Sequence, residues 1–333
     1  MAQRASDAPV ISATGLHRSF GDIKAVRGID IEVAAGECFG FLGPNGAGKS
    51  TTIKMLCTLL RPTAGSAQVA GHDVVTERDE VRRHIGLVFQ ETTLDDYLTA
   101  RQNLLFHADI YGLARSAATP RIAALLEMVG LADRRDHQVL TFSGGMKRRL
   151  EIARGLLHSP RVLFLDEPTI GLDPESRAGL WRYVDALREQ EHITVFLTTH
   201  YMDEAERCDR IAIVNKGVIG ALDSPAALKA SVGHDRVTVH SEDDTALAGQ
   251  VRERYGVEVI DEAESFVVLT PDGERFVPKL FEFGVPVLSV KVSRPSLDDV
   301  FLKFAGSRMA EADEGPAASK RLRVMAMMGG QRR

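Results

Sequence analysis

The chain has 333 residues, of which 44% are hydrophobic and 26% charged, with a formal net charge of −5. This suits one large soluble globular domain plus a smaller one, and the acidic balance argues against a protein that coats nucleic acid. No apolar run approaches the ~18 residues that span a bilayer, and the opening MAQRASDAPV lacks the apolar stretch of a signal peptide. Cys38, Cys57 and Cys208 are scattered without a C-x-x-C pair and read as reduced structural thiols of a cytosolic protein.

Up to about residue 225, short apolar runs alternate with helical patterns, which predicts an α/β core with a largely parallel sheet. Phe20, in RSFGDIKAV, is either a core aromatic or a flat surface for an adenine ring. The apolar ECFGF then runs into GPNGAGKST and the helical TTIKMLCTLL, which places G-x-x-x-x-G-K-[ST] in the strand–loop–helix context it needs. Gly43, Pro44, Asn45, Gly46, Ala47 and Gly48 supply a loop whose backbone N–H groups can wrap a phosphate. Lys49 adds a point charge to the β- and γ-phosphates, Ser50 a hydroxyl ligand for Mg²⁺, and Thr51 a further phosphate contact. A nucleotide with Mg²⁺ is therefore the expected ligand pair.

IGLVFQ is a second buried strand, ending in Gln90, whose amide can sense metal or water. A helical subdomain of about 91–158 follows, with helices expected in LTARQNLLFHADIYGL and in TPRIAALLEMVGL, where Pro120 marks the start. Next comes TFSGGMKRRLEIARGLL, a helix opened by Ser143, Gly144 and Gly145, an arrangement suited to an anion. Its first turn holds Lys147, Arg148 and Arg149, where the helix dipole favours acids, so an anion is expected to account for them. RVLFLDEP ends an apolar strand in Asp166 and Glu167, which alternate faces if the strand continues. Asp166 suits the metal and Glu167 a general base polarising water. TVFLTTH brings His200 to a strand end within reach of a γ-phosphate, and NKGVI reads as a hairpin turn. Beyond it, RVTVHS, TALAGQVRERYG, VEVID, SFVVLT, ERFVPKLFEFG and VPVLSVKV read β, α, β, β, α, β, a ferredoxin-like order. PSLDDVFLKFAG closes the module as a helix with Ser296 as its cap. The expected division is 10–228 for the nucleotide-binding domain and 234–305 for the accessory α+β domain, with 1–9 and 307–333 disordered.

In this order, an aromatic before the cradle, GPNGAGKST, Gln90, FSGGM, VLFLDEP, GLD and His200 resemble the nucleotide-binding subunit of ATP-binding cassette (ABC) transporters over roughly residues 10 to 225. The resemblance implies a P-loop NTPase cassette: a RecA-like parallel sheet core, an antiparallel β part and a helical subdomain. It implies a head-to-tail homodimer enclosing two ATP molecules. Ser143, Gly144 and Gly145 of one copy would then face the γ-phosphate held by Gly43 to Thr51 of the other. By the same resemblance Asp173, in GLD, lies at that interface, Gln90 reports nucleotide state to a membrane partner, and His200 is the γ-phosphate switch. SGGM, the C-terminal module and PSLDDVFL are similar to the daunorubicin-resistance type of drug-export ATPase, which works with a separate permease. The expected role is an ATP-hydrolysing subunit on the cytoplasmic side of the membrane, powering export of a drug-like compound and so antibiotic resistance. The family usually carries L-S-G-G-Q, and Phe142 and Met146 depart from it. A soluble cassette acting on nucleic acid or the ribosome would carry coiled coils or two cassettes, and a GTPase would have an acid at Val218. A binding-only cassette would have lost Lys49, Glu167 or His200, and all three are present.

Overall fold

The apolar runs ECFGFL, IGLVF, RVLFLD and TVFLTT become the buried strands of one sheet. The computed structural model describes residues 8–262 and 265–312. In chain order these begin with β1 (Ile11–Phe20), β2 (Ile23–Val33), β3 (Cys38–Leu42), α1 (Lys49–Leu56), β4 (Ala64–Val69), β5 (His72–Asp73), α2 (Arg78–His84) and β6 (Ile85–Val88). A helical insert follows with α3 (Ala100–Ile110), α4 (Arg115–Met128) and α5 (Gly144–Gly155). The chain then returns through β7 (Val162–Asp166), α6 (Pro174–Glu191), β8 (Thr194–Thr199), α7 (Met202–Ala205), β9 (Arg210–Asn215) and β10 (Val218–Asp223).

The main sheet has the order β10-β9-β3-β8-β7-β6, and β9-β3-β8-β7-β6 run parallel. Phe39, Phe196 and Phe164 face one another in register across β3, β8 and β7. Their neighbouring ring centroids are 5.4 Å apart on both sides of Phe196, and all three rings are fully buried. Each such side chain contributes about 1.5–3 kcal/mol by leaving water. This ladder locks the register of the central strands, so their carboxyl ends are level. A second, antiparallel sheet has the order β2-β1-β4-β5. The NKG segment makes the turn between β9 and β10, with Lys216 and Gly217 both at positive φ (48° and 79°), as a two-residue hairpin requires.

In the insert, Thr99 caps α3 and makes a reciprocal capping box with Gln102. Pro120 does not start α4, as the sequence predicts; the helix begins at Arg115 and carries the proline inside it. The missing N–H affects only the exposed Ser116 carbonyl, which water can satisfy.

A second compact unit begins at Asp223. It contains α8 (Pro225–Val232), β11 (Asp235–Ser241), α9 (Asp244–Tyr255), β12 (Glu258–Asp261), β13 (Phe266–Thr270), α10 (Gly273–Leu280), β14 (Val287–Ser293) and α11 (Leu297–Ala312). Its four strands lie in the order β12-β13-β11-β14, all antiparallel, which is the ferredoxin-like arrangement expected. Val237, Val239, Phe266 and Val268 pack with Leu247 and Val251 of α9 and Phe276 and Leu280 of α10. Helix α8, which the sequence places at the end of the first domain, instead packs on α11, where Lys303 Nζ donates to the Ser231 carbonyl (2.7 Å). Disorder expected from residue 307 is corrected as far as Ala312, because α11 continues through Met309, Ala310, Glu311 and Ala312, all good helix formers. The expected disorder at 313–333 and at 1–7 lies outside the described residues. No helix among the described residues is long and apolar enough to cross a membrane.

Candidate functional site

The carboxyl ends of β3, β8, β7 and β6 bring Gly43, His200, Glu167 and Gln90 to one edge of the main sheet, the edge where parallel sheets bind ligands. The 43–51 loop turns from β3 into α1 through positions only glycine fits. Gly48 has φ 101°, and a Cβ there would sit 2.5 Å from the Ala25 carbonyl oxygen; at Gly43 it would sit 2.3 Å from that of Val214. Gly48 is also the N-cap of α1 and offers no side chain to the first N–H groups, which stay available to an anion. Gly48→Ala is therefore expected to destabilise the nucleotide-free chain by at least about 2 kcal/mol and to abolish ATP binding. A Tm within a degree or so of wild type, with normal binding of a fluorescent ATP analogue, would contradict this.

Lys49 is buried, and its Nζ donates to the carbonyls of Gly43 (2.8 Å) and Pro44 (3.1 Å) while pairing with Glu167 Oε1 at 3.1 Å. Ser50 Oγ donates to Asp166 Oδ1 at 3.0 Å. Thr198 Oγ1 donates to the same oxygen at 2.5 Å and accepts from the Glu167 N–H at 3.0 Å. The strand does not continue past Asp166. Glu167 adopts φ +48°, a strained value for a non-glycine residue. The acids therefore do not take opposite faces as an extended strand predicts: Asp166 turns to Ser50, and Glu167 to Lys49. Thr198 holds that bend from both sides, and nothing about the pair of threonines before His200 singles it out in the sequence. His200 Nδ1 lies 3.5 Å from Glu167 Oε2.

Lys49, Ser50 and Glu167 line a cavity of ≈ 420 Å³ whose wall also includes Asn45 to Gly48, Thr51, Ala25, Gln90 and Ile170; Asp166, Thr198 and His200 are not on that wall. Phe20 is not on that wall. It is 45% exposed, which excludes a core role, and the Arg18 guanidinium lies 4.6 Å from its ring centroid.

Ser143, Gly144, Gly145 and Asp173 are also absent from this wall. Ser143 caps α5, its Oγ accepting from the Met146 N–H at 3.3 Å. Asp173 caps α6 and accepts from the Ser176 N–H (2.9 Å) and hydroxyl (2.6 Å), bonds that hold its carboxyl below the usual range. Ser143, Gly144 and Asp173 are exposed, whereas Gly145 is buried where a Cβ would come within 2.8 Å of Ser176 Oγ. The two helix starts thus pack together through a glycine and present the other groups outward.

The basic first turn of α5 needs a different account from the anion the sequence suggests. Lys147 Nζ pairs with Asp96 at 2.6 Å, and Arg149 donates to the Val129 carbonyl at 2.8 Å and to the Tyr183 hydroxyl at 3.1 Å. Arg148 is buried and donates to the carbonyls of Pro168 (2.7 Å), Asp166 (3.2 Å) and Phe89, as well as to Glu151 Oε2 (3.1 Å). Burial pushes the Arg148 guanidinium below its ordinary range against the opposing pull of Glu151. Glu151, fully buried, also accepts from the Thr93 N–H at 2.8 Å. The guanidinium's five planar donors let one side chain join α5 to the segment holding Gln90 and to the Asp166–Glu167 bend. Sequence reasoning missed this role, because a basic run at a glycine-opened helix start reads as the partner of an anion.

With a phosphate loop, a metal-competent acid, a candidate base and a glycine-opened helix set apart from the cradle, the first unit has the parts of an ATP-binding cassette. Residues 26–170 match the family model described as ABC transporter. The chain is 41% identical over 305 residues to a daunorubicin/doxorubicin resistance ATP-binding protein of Streptomyces peucetius, covering 89% of this chain and 92% of that one. It is also similar to the structure of cbiO1 from Clostridium perfringens, part of the ABC transporter complex cbiONQ; that match has a TM-score of 0.63 and 25% identity and covers 75% of this chain and 97% of the other. A third likeness is to a dimeric, post-hydrolysis ATP-binding cassette bound to ADP and Pi, with TM-score 0.58, 26% identity, and 64% and 98% coverage. The chain belongs to the ATP-binding subunits of ABC transporters, and it is an ATPase of that family.

Proposed function

We propose that two copies of this chain close head to tail over two ATP molecules and drive a separate transmembrane permease from the cytoplasmic face of the membrane. Each ATP is held by Gly43 to Thr51 of one copy and covered by Ser143, Gly144 and Gly145 of the other. Phe20 offers adenine the ring face opposite Arg18. The observation that carries the reading is the meeting of Lys49 with Glu167 and of Ser50 with Asp166, from two distant segments, where Lys49, Ser50 and Glu167 line one cavity.

Within that site Glu167 is the base that orients and deprotonates the attacking water. Asp166 is unsuited to the task because its Oδ1 already takes both the Ser50 and Thr198 hydroxyls. His200, beside Glu167, contacts the γ-phosphate and senses its loss. Lys49 exchanges its Glu167 partner for phosphate oxygens, which frees the carboxylate for water. Ser50, Asp166 and Gln90 offer a hydroxyl, a carboxylate and an amide, hard oxygen donors suited to Mg²⁺. When bound, the ion neutralises charge developing on the phosphates. Asp173, exposed at the start of α6, faces the partner copy and links the two sites.

Similarity to drug-resistance ATP-binding proteins over nearly the whole chain supports export of a hydrophobic, drug-like compound. The compact three-helix insert gives no support to a nucleic-acid or ribosomal role. The shared-site arrangement is tested by mixing subunits. Ser143→Ala and Lys49→Ala homodimers each have both sites damaged, whereas their heterodimer has one intact site, so the mixture is expected to regain ATPase activity that neither variant shows alone. Activity equal to the average of the two variants at every mixing ratio would refute the shared site. The transport half is tested by co-purification with a permease from membranes and ATPase assay with candidate drugs. An unstimulated ATPase that never co-purifies would count against it.

A further inference from the structure

Away from the ATP site, β5 and α2 bring together His72, Glu80 and His84, with one potential ligand atom from each lying within 4.8 Å of the others. Glu80 and His84 are four residues apart and share a face of α2. β5 lays His72 against that face, with the two imidazole centroids 5.2 Å apart. All three side chains are half-buried.

Both rings are already oriented through one nitrogen. His84 Nδ1 lies 2.8 Å from the Glu80 carbonyl oxygen. A carbonyl can only accept, so Nδ1 carries the hydrogen and Nε2 the lone pair. His72 Nδ1 lies 3.3 Å from Glu77 Oε1, which imposes the same tautomer. An imidazole anchored through one nitrogen to a carboxylate or carbonyl is the usual state of a metal-binding histidine.

We propose that His72, Glu80 and His84 form a divalent transition-metal site, suited to Zn²⁺ with water in the fourth position and with Glu77 as the group that orients His72. Two imidazoles and a carboxylate match the donor preference of Zn²⁺ and not that of Mg²⁺, which takes oxygen donors. Tetrahedral Zn²⁺ needs its ligand atoms about 3.4 Å apart, so the three side chains close in by small rotations. Arg83 pairs with Glu80 Oε1 and competes with the ion for that carboxylate. Occupancy would tie β5 to α2, which runs directly into β6 and the Gln90 segment.

The test uses the full chain, free of nucleotide and Mg²⁺, titrated with Zn²⁺ against a chromophoric chelator, with Co²⁺ as a spectroscopic probe. Cys38, Cys57 and Cys208 are all buried, so thiolates do not compete. One tight Zn²⁺ per chain and a tetrahedral Co²⁺ absorption band are expected. His72→Ala and His84→Ala should each weaken binding at least 100-fold and Glu77→Gln about tenfold, whereas Arg83→Ala should tighten it. The three metal-free weakening variants should unfold near the wild-type temperature. Equal Zn²⁺ affinity in the wild type and in the His72→Ala/His84→Ala double variant would overturn the site.

Discussion

Glu167→Gln is expected to lower the ATPase kcat by at least about 100-fold while leaving ATP binding intact, the loss that follows removal of a general base. The amide keeps the shape of the side chain and the backbone bend at Thr198, so the cradle should survive. Loss of the charge opposite Lys49 should favour the triphosphate, because phosphate oxygens then compete with no carboxylate for that lysine. Single-turnover kinetics with equilibrium binding of ATP separate the two effects. A variant that keeps more than a tenth of wild-type turnover would remove Glu167 from the role of base. Reduced binding with unchanged kcat would assign it to substrate affinity instead.

Arg148→Met is expected to destabilise the first unit by about 3–5 kcal/mol, since it strips the guanidinium from a buried pair and strands Glu151. The remaining cation, Arg154, stands 4.0 Å from Glu151 Oε1 and cannot reach the carbonyls of Phe89, Asp166 and Pro168. By the usual scaling this lowers Tm by roughly 10 °C. Adding Glu151→Leu should recover part of the loss by removing the orphaned charge, but not the part owed to the three carbonyls. Chemical denaturation of the single and double variants gives both numbers. A single-variant cost below about 1 kcal/mol would show the network to be dispensable. Because the same carbonyls flank Gln90 and Glu167, surviving Arg148→Met protein should also hydrolyse ATP more slowly.

The two variants mark different degrees of legibility. Glu167 was visible because an acid pair directly after VLFL is an unfavourable place for carboxylates unless cations meet them. Arg148 was invisible because its neighbours in sequence are also basic, and only burial distinguishes it. The same contrast runs through the fold. The ferredoxin-like order could be read from alternation alone, since each half-buried strand shows its period. Where the first unit ends depended on α8 packing against α11, which no local pattern reveals.

By itself the sequence determined the phosphate loop, the strand-end acids, the glycine-opened helix and the α/β alternation. All of these are local: a run of side chains within a few residues specifies them through backbone freedom, periodicity and capping. Only the tertiary structure decided which side each acid takes, through the bend held by Thr198, and what the basic turn of α5 is for. It alone brought His72 to Glu80 and His84. Those outcomes depend on groups far apart in the chain that meet only after the strands are in register, and on burial, which decides whether a charge faces water or a carbonyl.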